Sequence, residues 1–310
     1  NSAVEKIKIL DFESALSDLN LAVELDPGLN EALIQLAKVK VELGKYDEAI
    51  ADFTQAGLTD PKNGEMDFFI AYLNFKGEPS ELVINSLNAS ISKGFKQAEV
   101  YYYRGLYNLL KNDFTSAISD FNTAIELKPN YPIAYHDRAT ARRLMGDLQG
   151  ALYDYRLATN YDSKFPMAFN NMGSVKIALG DYDGALADYT VAVNLDPDFY
   201  IAYNNRGTAK YFLGQIDSAV ADFSKAISIQ QNYLPAMNNK AAGLSKNSQY
   251  NESVSLYDQI LSVDNSFGKA YLNRGFVREL KGDLEGACKD WRKALELGIN
   301  EAEKYIKECK

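Results

Sequence analysis

The feature that most constrains this chain is that it repeats itself every 34 residues. Aligned on Ala49, Ala117, Ala185 and Ala287, the intervals are 68, 68 and 102 residues, all multiples of 34. Self-similarity of this length marks an array of one supersecondary unit, each too small to bury its own apolar face and stacking on its neighbours to do so. Units starting at Asn30, Gly64, Ala98, Pro132, Pro166, Tyr200, Leu234 and Gly268 keep register without a slip, and a truncated ninth unit fills residues 1–29. In that truncated unit the second helix is expected from Phe12 to Leu25.

Inside each unit the apolar residues recur at helical spacing in two runs. Between the runs lie turns such as Leu43-Gly44-Lys45, Met145-Gly146-Asp147, Leu179-Gly180-Asp181, Leu213-Gly214-Gln215 and Lys281-Gly282-Asp283. Glycine there suits the left-handed residue that ends a helix. The second run closes at Asp26-Pro27, Asp60-Pro61, Lys128-Pro129 and Asp196-Pro197, where proline blocks continuation. Each unit therefore reads as helix, turn, helix.

Small residues hold position eight of the unit: Ala37, Ala71, Gly105, Ala139, Gly173, Gly207, Ala241 and Gly275. They recur at positions twenty and twenty-seven, as in Ala117 and Ala124, Ala151 and Ala158, Ala185 and Ala192. Bulk fills the complementary places, with Tyr101, Tyr135, Phe169, Tyr203 and Tyr271 at position four. At position twenty-four stand Phe53, Phe121, Tyr155, Tyr189, Phe223, Tyr257 and Trp291. This is knob-and-hole packing written into sequence.

The repeat length, the small residues at eight, twenty and twenty-seven, the aromatic at twenty-four and the closing proline resemble the tetratricopeptide repeat family over nearly the whole chain, in about nine repeats of bacterial type. The resemblance implies an all-α fold, a right-handed superhelical solenoid of antiparallel helix pairs whose first helices line a concave groove. A single solenoid over residues 1–310 is expected, closed by a capping helix at 300–310. The third unit departs most, with Gly77-Glu78-Pro79 at its turn and Lys93-Gly94-Phe95 in place of Asp-Pro, which predicts a local bend.

In this family positions two, five, six, nine and twelve of the first helix look into the groove. Position six is Asn171, Asn205, Asn239 and Asn273 in the last four units. Asparagine is a mediocre helix former that competes for its own backbone, so helix formation does not select it. An amide offers one donor and one acceptor face, matching a peptide group of an extended chain, and similar superhelical repeat domains use an asparagine ladder in this way. The other reading is that these amides bond across repeats or face water. Asn170, Asn204 and Asn238 at position five double the amides, and Ser174 and Thr208 at position nine keep the stretch polar and uncharged. Earlier units turn aromatic at the same positions, with Phe68, Phe69, Tyr72, Tyr102 and Tyr103. These form an apolar patch for an anchoring side chain, or pack into the irregular third repeat.

Arg at position seven recurs with Asp sixteen residues later, in Arg104 and Asp120, Arg138 and Asp154, Arg206 and Asp222, Arg274 and Asp290. These read as structural ion pairs, loosely coupled because Asp52 and Asp188 persist opposite Leu36 and Met172. A basic clamp for a terminal carboxylate fits poorly: position five carries Ile34, Tyr102 and His136, and the groove cations Lys38, Arg143 and Lys269 are scattered.

Hydrophobic residues make up 46% of the chain, enough for a core, and 21 Tyr with 15 Phe supply its bulk. A formal charge of -9 and the lack of a basic run argue against nucleic acid as a partner. No apolar stretch is long enough for a transmembrane segment. The chain opens with Asn1 rather than Met, and the expectation drawn is a processed or trimmed product with a removed leader or a lipid anchor upstream of Asn1.

Only Cys288 and Cys309 occur. If the cap runs back antiparallel to the preceding helix, residue 297 lies opposite 300 and residue 288 opposite 309. They then form a disulfide in an oxidising compartment, such as a bacterial periplasm or outer-membrane surface, or two buried thiols in a reducing cytoplasm. His136 is the sole histidine and reads as a surface or peptide-contact residue, with no metal site or triad in range. No phosphate loop, dinucleotide fingerprint or nucleophile elbow is present, so no cofactor is expected. The sequons at Asn88 and Asn251 fall on helical runs.

The function expected is a non-catalytic scaffold or adaptor that binds a protein or peptide segment in its groove, in a setting of cell-envelope assembly or secretion. The alternative is an architectural subunit using its convex face or ends. An enzyme would need a catalytic domain upstream of Asn1.

Overall fold

A computed structural model describes residues 2–75, 80–307 and 309; the turn Gly77-Glu78-Pro79 lies outside them. The chain divides into two compact units, Asn1–Asp147 and Leu148–Lys310. The first unit holds α1 (Ser2–Lys8), α2 (Phe12–Leu25), α3 (Asn30–Glu42), α4 (Tyr46–Thr59) and α5 (Gly64–Asn74). It continues through α6 (Glu81–Ser92), α7 (Ala98–Leu110), α8 (Phe114–Leu127) and α9 (Pro132–Leu144). The second unit holds α10 (Leu148–Tyr161), α11 (Pro166–Ala178), α12 (Tyr182–Leu195), α13 (Tyr200–Phe212) and α14 (Ile216–Ile229). It continues through α15 (Leu234–Lys246), α16 (Tyr250–Val263), α17 (Gly268–Leu280) and α18 (Leu284–Glu296). Among the described residues there is no strand. Within each unit, helices consecutive in sequence pack on one another, and in the second unit the first helices α11, α13, α15 and α17 also touch in series.

Short local signals make these boundaries sharp. Asp11, Asp113, Asp181 and Asp283 each accept a hydrogen bond from a backbone N–H in the first turn of the helix they precede, satisfying a group with no partner inside the helix. Position fifteen of the unit is left-handed wherever the turn is described: Gly44 has φ 72°, Asn112 61° and Ser248 61°. The truncated first unit puts Leu10 there at φ 62°, a conformation that costs an ordinary residue roughly 1–2 kcal/mol.

The core is the contact between positions eight and twenty-four. The rings of Phe53, Phe121, Tyr155, Tyr189, Phe223, Tyr257 and Trp291 are all buried. They lie so close to the opposite helix that a Cβ on Gly105 would stand 2.8 Å from Phe121, on Gly173 2.9 Å from Tyr189 and on Gly207 2.6 Å from Phe223. Elsewhere the same place is taken by Ala37, Ala71, Ala139 or Ala241, each essentially inaccessible to solvent.

A polar layer surrounds this core. Arg104, Arg206 and Arg274 make paired hydrogen bonds to Asp120, Asp222 and Asp290. The guanidiniums also lie 5.2–5.6 Å from the centroids of the position-four rings Tyr101, Tyr203 and Tyr271. The coupling is tighter than the Arg pattern alone suggests, because position eleven supplies a second partner. Lys40 reaches Asp52 at 2.6 Å and Lys176 reaches Asp188 at 2.7 Å, which explains the two aspartates that lack a position-seven arginine. Lys210 and Arg278 join Asp222 and Asp290 in the same way. The bond to Asp222 holds the Arg206 guanidinium above its usual pKa, whereas burial raises that of Asp188 despite Lys176.

The chain end differs from the helix expected over 300–310. A 3-10 turn, Asn300–Ala302, leads into a single short helix, Glu303–Ile306. The positive φ of 83° at Gly298 turns the chain back, and Tyr305 lands 4.6 Å from the Phe276 ring and 5.4 Å from Trp291. These ring contacts, with Cys288 and Cys309 disulfide-bonded at a Cα separation of 5.7 Å, close the apolar end without a longer helix.

The close approach at position eight is directly testable. A Cβ on Gly275 would lie 2.4 Å from Trp291 Nε1, so Gly275→Val is expected to destabilise the protein by at least about 2 kcal/mol in urea unfolding, through overpacking. A midpoint equal to wild type would show that the ring can move aside.

Candidate functional site

The amide residues come together in the second unit and bond to one another. Asn170, Asn204 and Asn238 donate from Nδ2 to Oδ1 of their sequence neighbours Asn171, Asn205 and Asn239, at 3.1, 3.3 and 3.4 Å. Across repeats, Asn205 donates to Asn170, Asn239 to Asn204 and Asn273 to Asn238, at 2.9, 3.0 and 3.0 Å. The result is one unbroken, directional line of seven amides, running from Asn273 on α17 to Asn171 on α11. It exists because a position-six side chain and the position-five side chain of the preceding repeat, 35 residues apart, sit on first helices that touch.

Burial divides the two positions in the first two of these repeats. Asn170 and Asn204 are 5% and 6% exposed, whereas Asn205, Asn239 and Asn273 are partly exposed. In the repeats of Asn170 and Asn204 the buried position-five amide thus holds a partly exposed position-six amide in place, whereas Asn238 is partly exposed like Asn239. Asn205 uses one N–H and one lone pair in the line, keeping one of each. Asn239 has a spare lone pair, and its second N–H makes only a long contact of 3.5 Å to Thr208 Oγ1. The Asn273 amide donates to Asn238, and the pKa of the nearby buried Tyr257 hydroxyl is raised chiefly by burial. The hydroxyls of Ser174 and Thr208 donate back to the carbonyls of Asn170 and Asn204, so they brace the same residues from their own helix.

In the first unit the early aromatic positions form a continuous ring cluster rather than a uniformly open patch. Phe69 stacks on Phe53 at 4.7 Å, Phe68 lies 6.2 Å from Tyr103, and Tyr102 lies 5.3 Å from Tyr103. Phe68 and Tyr102 are core residues, 8% and 6% exposed, and the Tyr102 hydroxyl donates to Asp137 at 2.8 Å. Tyr72 is exposed, and Tyr103 is half-buried with its hydroxyl pKa pushed up to about 12 by burial. His136 is not a surface residue: it is 6% exposed, with Nδ1 2.8 Å from Asp137. Lys38 is held by Glu65 at 2.8 Å and lies over Phe69. Among the described residues no group of three or more His, Cys, Asp or Glu is placed to hold a metal ion, and no helix is long and apolar enough to cross a membrane.

The sequence singled out the asparagines with two readings, pairing with a ligand or bonding across repeats, and the second is what these hydrogen bonds display; the signal for the self-paired line was the double Asn at adjacent positions in successive repeats. Removing a buried member should be costly. Asn204→Ala strips a partner from both Asn205 and Asn239, and is expected to lower unfolding free energy by about 1–3 kcal/mol. The exposed Asn160→Ala should change it by less than about 0.5 kcal/mol. Equal effects in denaturant titration would contradict the line.

Known proteins share this architecture. A family model for the tetratricopeptide repeat matches residues 31–63, 98–131 and 200–233, and a second TPR-repeat model matches 173–213. A DnaJ homolog subfamily C member 7 homolog from Dictyostelium discoideum is 30% identical over 66 residues, 21% of this chain and 12% of that protein. A chain in the APC/C hetero-tetramer Cut9-Hcn1 superposes with a TM-score of 0.64 at 18% identity, over 95% of this chain and 58% of its own length. Pseudomonas aeruginosa pilF gives 0.59 at 20% identity, over 68% of this chain and 97% of that one. The chain thus spans a small part of the first of these relatives and little more than half of the second, and the structural likenesses concern fold. With the 34-residue signature, the helix-pair packing and these matches, the chain carries tetratricopeptide repeats, at residues 31–63, 98–131, 173–213 and 200–233, within an all-α array of stacked helix pairs.

Proposed function

We propose that this protein is a non-catalytic scaffold whose second unit holds an extended segment of a partner protein along α11, α13, α15 and α17. The observation that carries the reading is the line of seven amides. It fixes Asn205 and Asn239 in orientation before any ligand arrives, with hydrogen-bonding capacity left over on the outward side. An extended chain presents alternating donors and acceptors, and a preorganised amide meets them without first being ordered, which favours binding. Tetratricopeptide repeats as a class serve as protein-interaction scaffolds, which agrees with this reading.

In the first unit, exposed Tyr72 and half-buried Tyr103, both against buried Phe68, with partly exposed Phe69 beside Phe68, offer an apolar contact for the same or another segment. The setting proposed is the cell envelope of a bacterium, in assembly or secretion, supported by the Cys288–Cys309 bridge, since structural disulfides persist in oxidising compartments. A lipid anchor upstream of Asn1 would suit such a setting. The competing reading is an architectural subunit that works through the second helices or the ends, with the amide line a purely internal brace.

Capture of the partner from native extract, followed by affinity measurement on Asn205→Ala/Asn239→Ala, separates the two. The scaffold reading expects affinity to fall by about tenfold or more, from two lost bonds of roughly 0.5–1.5 kcal/mol each. Unchanged affinity in a variant that still unfolds cooperatively would leave the architectural reading.

A further inference from the structure

Two half-open cavities flank the Asn273 end of the amide line. One, of about 210 Å³, is lined by Thr208, Phe212, Phe223 and Asn239. The other, of about 340 Å³, is lined by Ser245, Tyr250, Phe276 and Leu280. Tyr211, Ala242 and Asn273 line both, so the two are neighbours across a shared wall. Their walls are aromatic and aliphatic, and Lys246 is the sole charged residue lining either.

The wall between them carries the polar capacity. Asn239, in the smaller cavity, keeps a spare acceptor, and Asn273, anchored by Asn238, stands where the cavities meet. Ala242 occupies position nine of its unit, where the neighbouring units have Thr208 and Phe276. That small side chain leaves the space between them open. In an extended segment side chains alternate in direction, so a peptide group held at Asn239 and Asn273 turns a neighbouring side chain toward this wall. The cavity of about 210 Å³ has no charged residue in its lining, so a charge entering it would lose water without gaining a partner, and it selects an uncharged occupant.

We propose that these paired cavities form a side-chain subsite that recognises an aliphatic or aromatic residue in the segment held by the amide line. The inference rests on the segment-holding reading above and adds which residue the segment must carry. Affinity then comes from the cavities and register from the amides. Phe276 connects the subsite to the chain end, since its ring is gripped by Tyr305 next to the disulfide.

The test uses the full chain and a display library of random, unstructured peptides long enough to span the four repeats of the amide line. Wild type is expected to enrich peptides sharing one aliphatic or aromatic residue at a fixed place. Ala242→Leu fills the shared wall and Ser245→Leu fills the second cavity, each at a partly exposed position; both should weaken binding of the enriched peptides by roughly tenfold, the value of one buried aliphatic side chain. Replacing the shared residue by Ala in the peptide should weaken wild-type binding by the same factor and the variants hardly at all. Peptides with no shared apolar residue, or with a shared charge, overturn the subsite. So does an enriched set that both variants bind as tightly as wild type. If in those cases Asn205→Ala/Asn239→Ala still abolishes enrichment, the segment-holding reading survives without the subsite. Enrichment of no peptide at all overturns both.

Discussion

Everything in this molecule follows from how closely two helices of one repeat approach. A ring at position twenty-four against a residue with little or no side chain at position eight brings Phe223 to 2.6 Å from where a Cβ of Gly207 would stand. Packing at that density leaves each helix pair little freedom to slide. The first helices of successive repeats in the second unit are thereby set side by side. Only then do side chains 35 residues apart fall within 3.0 Å of one another, as Asn239 and Asn204 do. The ionic layer is a second consequence: with the helices fixed, Asp222 receives both Arg206 and Lys210, and these buried carboxylates are paired rather than stranded.

The amide line is a physical device with a direction. Donation alternates between the sequence neighbour within a repeat and the preceding repeat, always in one direction along the line, and chains of hydrogen bonds in a low-dielectric setting reinforce one another. Aspartate in its place would bring like charges together, glutamine would add a rotatable bond, and serine lacks a paired donor and acceptor at one planar group. The line accounts for the asparagines structurally, yet it does not exhaust them. Asn205 retains a donor and an acceptor, and it is partly exposed while Asn204 beside it is buried.

Much of the fold was legible in the sequence because a strict period forces each local signal to repeat. Gly44, Gly146 and Gly180 mark the same turn, and Asp113, Asp181 and Asp283 mark the same helix start. Pairs that recur with the period, such as Arg206 with Asp222, were legible too, whereas partners that change from repeat to repeat resisted reading. Position-seven arginine was visible, but the role of Lys40 and Lys176 at position eleven emerges only when Asp52 and Asp188 are seen against both faces of the first helix. Phe68 and Tyr102 share repeat positions with groove residues, yet the surrounding rings of Phe53, Phe95 and Phe121 draw that cluster inward. Among the described residues the last helix, Glu303–Ile306, is shorter than its composition suggests, and Tyr305 and the Cys288–Cys309 bridge pack that segment on α17 and α18.

The central claim is that the asparagines form a self-paired line with capacity held for a ligand. The most direct measurement is proton exchange at the Asn side-chain NH2 groups by nuclear magnetic resonance, with and without a bound segment. For Asn205 the account predicts one slowly exchanging and one rapidly exchanging proton in the free protein, both becoming slow when the segment binds. Two rapidly exchanging protons in the free protein would contradict the line. A second proton that stays rapid in the complex would contradict its use in holding a partner.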